Sequence, residues 1–457
     1  MRGASLYPRL PVPLQNLAVG ARGVQIRATR YGGDFDMRLE AAIRRADRGS
    51  DALLVERDAR LVRALHEFRT SVPRFRSLSA SEIDADPYGV LASLSITDKS
   101  QVREQPAAFR ADPQPKESRT TKTSGSTGSA LHLRSTRTAE REQWAVWWRY
   151  RSWHGLLPGQ WHGLFGGKQV VPTGGGAPYW RVARPLHQVF YSSLHIDRAS
   201  APAYVKDIDQ RGLSWLHGYP SAIAALARSA LATGVPPPSS VDTISGGSEG
   251  FGQLNRQVLG RWFGGRIIEH YGLAEGVANL SQCVGGRLHV DEDFSVVEFL
   301  ETEMPGQHEI VGTNLTNFAQ AFVRYRTGDL AVDVRDSCPC GWHGRSISHV
   351  DGRMDDMIVT ADGHLVGRLG QLFYDTTSVA SAQIVQEVPG RIDVYVVPAG
   401  TSVLPADLSH IEAAAADRLG PSTGLSFHEV QQVPYVSPSG KHRLVVRLFD
   451  LGTLNSG

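Results

Sequence analysis

Leu53, Leu54, Leu61, Val62, Leu65 and Phe68 recur at near-helical spacings with charged residues between them. The pattern predicts an amphipathic helix from Asp51, capped by Ser50 or Asp51 and packed on a larger body. Trp144, Trp147, Trp148 and Arg151 stand at i, i+3, i+4 and i+7, which reads as a second helix with its tryptophans in the core. Residues 1–36 are rich in Gly, Pro and Arg without a clear period, and an ordered but irregular arm is expected there. Residues 107–122 are polar and loop-like.

Beyond residue 160 the apolar runs shorten and break into glycine-rich turns. WLHGYPSAIAALARSALATGV reads as a strand end, a turn at Tyr219, Pro220 and Ser221 with Ser221 as cap, and a helix. Residues 241–244 form an apolar strand that breaks into Ser245, Gly246, Gly247, Ser248 and Glu249. Ile267 and Ile268 repeat the design, running into Tyr271, Gly272, Leu273, Ala274 and Glu275. Strands alternating with helices in this way predict a doubly wound α/β sheet with its ligand site at the strand carboxyl ends, so both turns are expected to face one crevice. Later strands are expected at 296–300, 309–315 and 321–325. From 353 the character changes to hairpins over 357–366 and 382–397, turning at Asp362-Gly363 and Pro389-Gly390. A helix over 405–419 follows, with Pro405 at its start and Gly420 past its end. The expected organisation is therefore a large α/β domain over 1–352 and a small α+β domain over 353–457.

Composition narrows the class. At 457 residues the chain exceeds one ordinary core. Its 41% apolar and 21% charged residues are those of a globular protein. No 18-residue apolar segment occurs and the amino terminus lacks a signal-like run, so no membrane association and a cytoplasmic location are expected. Forty-eight basic against 46 acidic residues, with the arginines scattered, leave no nucleic-acid footprint. Three cysteines make no disulfide framework and fit a reducing compartment.

The chemistry is carried by short runs. Thr123, Ser124, Gly125, Ser126, Thr127 and Gly128 place four hydroxyls around two glycines, a combination that can turn backbone N–H groups toward phosphate oxygens. It is not a Walker loop, since no lysine follows the second glycine. Taken alone, such a run is also what a flexible loop looks like. Cys283, His289, Cys338 and Cys340 make an allowed Cys₃His zinc set, with His343 and His349 as alternative fourth ligands. By spacing alone, buried free cysteines are the competing reading.

Six pieces stand in a fixed order: TSGSTG, ISGGSEG (244–250), EHYGLAEG (269–276), VRYRTGDL (323–330), DGRMDD (351–356) and PSGKHR (438–443). Together they resemble the adenylate-forming superfamily of acyl-CoA ligases and adenylation domains. GYPS at 218–221, YGLAEGVANLSQC, GRLHVDEDFSVVEFL and CPCG are most similar to the phenylacetate–coenzyme A ligase branch, including its CapK-like relatives in capsule and secondary-metabolite gene sets. The resemblance implies a two-step reaction, in which a carboxylate attacks the α-phosphorus of ATP and the acyl group then passes to a thiol. It implies that residues 123–128 hold the β- and γ-phosphates and that Glu275 ligates Mg²⁺. Tyr271 and Gly272 would offer the adenine platform, with the backbone of Gly246, Gly247, Ser248 and Glu249 on its other side. Asp329 would accept from the ribose hydroxyls, and Arg353 would reach the ribose or phosphates. Lys441, as a mobile point charge, would serve adenylation, with Asp355 as the hinge of an alternating small domain.

Some relatives in that branch hold zinc at the cysteine positions, which implies a structural zinc here. Coenzyme A is the implied acceptor of the activated small-molecule acid. An amine, a carrier protein or a hydroxyl receiving AMP are the enzyme alternatives, and a non-catalytic nucleotide-binding protein is the reading from another class. The acid's pocket is expected between residues 160 and 220. Leu131 stands where many members carry a lysine, a departure that this branch tolerates.

Overall fold

The computed structural model describes the chain apart from residues 1–5, 123–130, 173, 343, 354–356, 364, 367–368, 374–375, 421, 437–442 and 450–457. The side chains of Lys122, Gln253, Arg353, Leu365, Gln371 and Asp417 are likewise outside the description. Two compact units divide the chain. One comprises residues 1–20, 161–268 and 351–457, and the other 21–160 and 269–350.

In the first unit, strands Thr243–Gly246, Trp215–Gly218, His162–Gly166 and Gln188–Ser192 lie side by side and parallel, with Trp180–Ala183 antiparallel at the edge. Their near-continuous apolar runs suit strands buried on both faces. Helices Ala201–Gln210, Pro220–Ala232 and Gly252–Trp262 complete the α/β pattern. Phe165, Leu216, Ile223, Leu226, Ile244 and Leu259 form the fully buried centre. The doubly wound arrangement read from the sequence is present.

The same unit contains a second core built from the carboxyl-terminal residues. Strands Gly424–Glu429, Arg391–Pro398, Val379–Val388 and Val445–Arg447 form one mixed sheet in that order. Helix Pro405–Leu419 lays Ile411, Ala415 and Leu419 against Ile384, Ile392 and Val394. Both predicted hairpins occur, Ile358–Val359 with Leu365–Val366 and Val379–Val388 with Arg391–Pro398.

The second unit is built on helices Phe35–Asp47, Ser50–Ser71 and Arg137–Trp153 and two antiparallel sheets. Ser346–Ile347, Leu288–Val290, Asn279–Gln282 and residues 269–272 make one; Ser295–Glu301, Gln307–Asn314 and Tyr325–Val332 make the other. The helices are joined by charge as well as by apolar contact. Glu142 accepts from Arg38 at 2.9 Å, Arg45 at 3.1 Å and Arg60 at 2.8 Å. Burial alone would raise the Glu142 carboxyl, but Arg60, Arg45 and Arg38 outweigh it and hold the group below the usual range.

Four expectations are corrected. Residues 12–30 are a helix rather than an irregular arm, with Gln15, Gly23 and Ile26 on its buried side. A glutamine and a glycine on that side hide the apolar period. The helix at Ser50–Ser71 has Gly49 at its N-cap and no side-chain cap from Ser50 or Asp51. The polar stretch before residue 123 is not all loop, because Arg119–Lys122 is a strand. The strand placed at 321–325 begins only at Tyr325. Ala321, Phe322 and Val323 are buried, yet Ala321 N–H bonds to the Phe109 carbonyl and Phe322 meets only the end of strand Gln307–Asn314, donating to Asn314 Oδ1 and accepting from Asn314 N–H. Burial there comes without a ladder.

Candidate active site

Among the described residues, the second unit holds Tyr271, Gly272, Glu275 and Asp329 of those expected to meet a nucleotide. Strands Arg119–Lys122 and His132–Ser135 pair antiparallel, Lys122 opposite His132, so the residues flanking 123–130 are held side by side. The cradle residues Thr123, Ser124, Gly125, Ser126, Thr127 and Gly128 lie outside the described residues. Leu131, which stands where many members of the resembled superfamily carry a lysine, is 3% exposed and packs with Phe109, Phe322 and Tyr325. An apolar anchor thus takes the place of a charge just after the cradle.

Residues 269–272 and Asn279–Gln282 form a hairpin with Tyr271 opposite Leu280 and Gly272 opposite Asn279. Glu275 sits in the connecting loop. The Tyr271 hydroxyl donates to Asp329 Oδ2 at 2.6 Å, and Asp329 is buried at the middle of strand Tyr325–Val332. Thr327 fixes that carboxylate's backbone, accepting from Asp329 N–H at 3.1 Å while donating to the Ile310 carbonyl at 2.8 Å. Tyr325, on the same strand, donates to Glu275 Oε1 at 3.4 Å. Helix Arg137–Trp153 contributes Gln143, whose Nε2 donates to the Leu273 carbonyl at 3.0 Å. A half-buried carboxylate oriented by a phenol is a donor set that fits a hard cation such as Mg²⁺. Next to Tyr271, burial pushes His270 down to about 3, with Arg151 adding to the effect, so this imidazole is neutral and adds no charge to the platform.

The cysteines converge in the same unit. One ligand atom from each of Cys283, His289, Cys338 and Cys340 lies within 4.8 Å of the others. Tetrahedral Zn–S bonds of about 2.3 Å put sulfurs about 3.8 Å apart, so the span suits the ion without rearranging the backbone. Cys283 follows strand Asn279–Gln282 in a tight turn, its N–H on the Arg287 carbonyl at 2.9 Å. His289 is delivered by strand Leu288–Val290 and lies 3.4 Å from Cys340 Sγ through Nε2. Trp342 N–H donates to Cys340 Sγ at 3.3 Å, the kind of outer contact that supports a thiolate. Burial pushes the Cys340 thiol up to about 12, an opposition to the thiolate that a bound cation reverses. His349 is exposed with Nδ1 on Ser348 Oγ at 2.9 Å and is not among these ligand atoms; His343 lies outside the described residues.

Gly246, Gly247, Ser248 and Glu249 belong to the first unit, Gly246 ending strand Thr243–Gly246 and the other three following it. Ser248 has φ +71°, and Gly247 N–H bonds to the Gly218 carbonyl at 3.0 Å. Glu249 Oε1 accepts from Ser221 N–H at 2.8 Å. Ser221 therefore does not cap helix Pro220–Ala232; the Glu249 carboxylate satisfies its amide, an acid at the positive end of the helix. Where these strands end, a cavity of about 250 Å³ opens, lined by Leu164, Lys168, Phe190, Tyr191, His217 and Tyr219 with Gly166, Gly167, Gly218, Gly247 and Ser248. Gly218 has φ +144°, and a Cβ there would collide with the Phe165 carbonyl, so the cavity wall requires glycine. Tyr191 is fixed by its hydroxyl on Asp207 Oδ2 at 2.7 Å.

Arg353 ends strand His349–Arg353 with its side chain outside the description, and Asp355 and Lys441 lie outside the described residues. Sequence reasoning missed Tyr325, Gln143 and the cavity residues Lys168 and His217. Tyr325 is inside VRYRTGDL, where its place on the strand that carries Asp329 was the available signal.

No protein-family model matches the chain. It is 22% identical over 330 residues to Protein CapK of Staphylococcus aureus, covering 71% of this chain and 73% of that one. It is 28% identical over 345 residues to the phenylacetate-coenzyme A ligase of Thermus thermophilus, covering 67% and 71%. Among solved structures it resembles 2-hydroxyisobutyryl-CoA ligase in the postadenylation state with R3-HIB-AMP, with a TM-score of 0.65 at 16% identity over 89% and 90% of the two chains. An open conformation of that ligase with 2-HIB-AMP and CoA gives 0.52 at 16% identity over 87% and 91%. The fold is that of these ligases.

Proposed function

We propose that this chain, a member of the adenylate-forming superfamily with the fold of its acyl-CoA ligases, activates a carboxylic acid with ATP and passes the acyl group to coenzyme A or another thiol. The observation that carries this reading is the contact of Tyr271 with Asp329, on the hairpin whose loop holds Glu275. A flat ring joined to a buried acceptor suits a nucleoside, and a carboxylate nearby suits the metal of its phosphates. In the first step a carboxylate oxygen attacks the α-phosphorus and the bond to pyrophosphate breaks. In the second a thiolate attacks the acyl carbon and AMP leaves.

Each residue has a task in this scheme. Residues 123–128 hold the terminal phosphates, Asp329 accepts from the ribose hydroxyls and Tyr271 supports the adenine. Glu275 ligates Mg²⁺, which offsets phosphoryl charge. Arg353 and Lys441 bring positive charge from a small domain over 353–457, moving about Asp355; the separate core around Ile384 and Ile411 supports treating that segment as a folding unit. The acid occupies the cavity beside Phe190, Tyr191 and Tyr219, whose rings favour a small flat body. Cys283, His289, Cys338 and Cys340 hold one structural zinc ion, which ties the 283–289 turn to the 338–340 loop. Among the described residues no helix is long and apolar enough to cross a membrane, and three free thiols favour a reducing, cytoplasmic setting.

Screening acids for pyrophosphate release, with hydroxylamine trapping the adenylate, tests the first step; adding coenzyme A to each active acid tests the second. Acid-dependent release followed by thioester is expected. Nucleotide binding with no release for any acid class would replace this reading with a non-catalytic one.

A further inference from the structure

The loop that carries Glu275 is pinned at both ends by neighbouring groups. At its entry Gln143 holds the Leu273 carbonyl. Near its exit a Cβ at Gly312 would collide with the Val277 carbonyl, so strand Gln307–Asn314 presses its bare backbone against the loop. Asn279, the first residue of the returning strand and fully buried, uses both ends of its amide. Its Oδ1 accepts from Trp147 Nε1–H at 2.6 Å, and its Nδ2 donates to Asp291 Oδ2 at 2.6 Å. Asp291 is fixed in turn by Ser281 Oγ–H at 2.7 Å and by Arg149 at 2.8 Å.

The amide lies directly against the platform. Gly272 pairs with Asn279, and a Cβ on Gly272 would lie 2.7 Å from Asn279 Oδ1 and 3.2 Å from the Trp147 ring. No side chain of similar size can replace this amide. Leucine would leave the Trp147 N–H buried without its acceptor and Asp291 Oδ2 with Ser281 alone, and aspartate would set two carboxylates face to face.

We propose that Asn279 is a positioning residue for the proposed adenylation: clamped between Trp147 and Asp291, it sets the Tyr271 ring and the Glu275 loop in the geometry that receives Mg–ATP. The inference rests on the reading above for the identity of the ligand, but its test does not require turnover. Calorimetric binding of Mg–ATP, and of ATP with EDTA, is measured for the wild type, Asn279→Leu and Trp147→Phe. Asn279→Leu weakens Mg–ATP binding about tenfold, the size of one to two lost buried hydrogen bonds. Its effect on metal-free ATP is smaller, because Glu275 then has no ion to ligate. Trp147→Phe keeps a ring but removes the donor, and moves binding in the same direction by about threefold.

Where an active acid is known, the KM for ATP rises in both variants while the KM for the acid stays within about twofold, a split that general destabilisation does not produce. Unchanged Mg–ATP binding in Trp147→Phe, or equal rises in the two KM values, overturns the proposal even if Asn279→Leu folds poorly. A wild type that binds Mg–ATP but releases no pyrophosphate overturns the proposed function alone.

Discussion

Tyr271 donates its phenolic hydrogen to Asp329 Oδ2 over 2.6 Å, so the ring and the carboxylate are held as one surface. In the proposed function the two halves would have separable tasks in nucleotide binding. Tyr271→Phe keeps the ring and frees the carboxylate, and is expected to raise the KM for ATP about threefold. Asp329→Ala removes a charged acceptor and is expected to raise it about 10–100-fold, as the loss of hydrogen bonds to a charged group does. Pyrophosphate exchange on both variants measures this. A larger effect from Tyr271→Phe would reverse the assignment.

Metal content gives a second test. The chain purified without chelator is expected to carry about one zinc ion, and Cys338→Ser to lose it together with thermal stability, because a structural ion contributes to folding free energy. Metal analysis finding none, with three titratable thiols, would reduce the cluster to packed cysteines.

Lys441 separates the two half-reactions. If its charge acts only while the carboxylate attacks phosphorus, Lys441→Ala slows adenylate formation on the order of 10²–10³-fold. Transfer from a supplied acyl adenylate should then be nearly unchanged. Asp355→Pro is expected to do the reverse, impairing transfer more than adenylation by restricting the hinge. Equal losses in both steps for Lys441→Ala would remove the alternation from the scheme.

Glu142 sets a pH dependence of stability. Its folded carboxyl is held below the unfolded value by Arg60, Arg45 and Arg38 despite burial. The stabilisation is therefore complete above the unfolded pKa of about 4.3 and is lost as pH falls through the lower folded value. Arg38, Arg45 and Arg60 keep Asp34, Asp293 and Glu56 as partners, so Glu142→Gln should cost about 1–3 kcal/mol at pH 7, with a smaller difference from the wild type below pH ~4. Urea unfolding at both pH values checks the sign.

Local signals were the legible ones. Helix Pro405–Leu419 matches its expected bounds because Pro405 and Gly420 punctuate it, Gly420 with φ +79°. The turn before Arg391 was readable from Gly390, which has φ +74°. The clustered Cys283, His289, Cys338 and Cys340 could be grouped on paper because thiol and imidazole chemistry is rare enough to stand out. Asn279, by contrast, is an ordinary strand polar residue until Trp147 and Asp291 arrive from 132 positions before it and 12 after it. Glu249 looked like a turn residue, and only the approach of Ser221 N–H from 28 positions earlier makes it a helix cap. Partners supplied by folding leave no periodic trace in the chain.

The cavity of Phe190, Tyr191 and His217 is walled by one compact unit, while Tyr271, Glu275 and Asp329 are packed into the other. If the cavity holds the acid and the other residues face the nucleotide, as proposed, selection for a different acid would enlarge, polarise or close the first set of walls without repacking the second set. In the proposed function, drift at Leu164, Lys168 or Phe190 would change what is recognised and leave the activation step intact. A chain divided in this way is suited to diversification, since its choice of substrate and its source of energy can vary at independent rates.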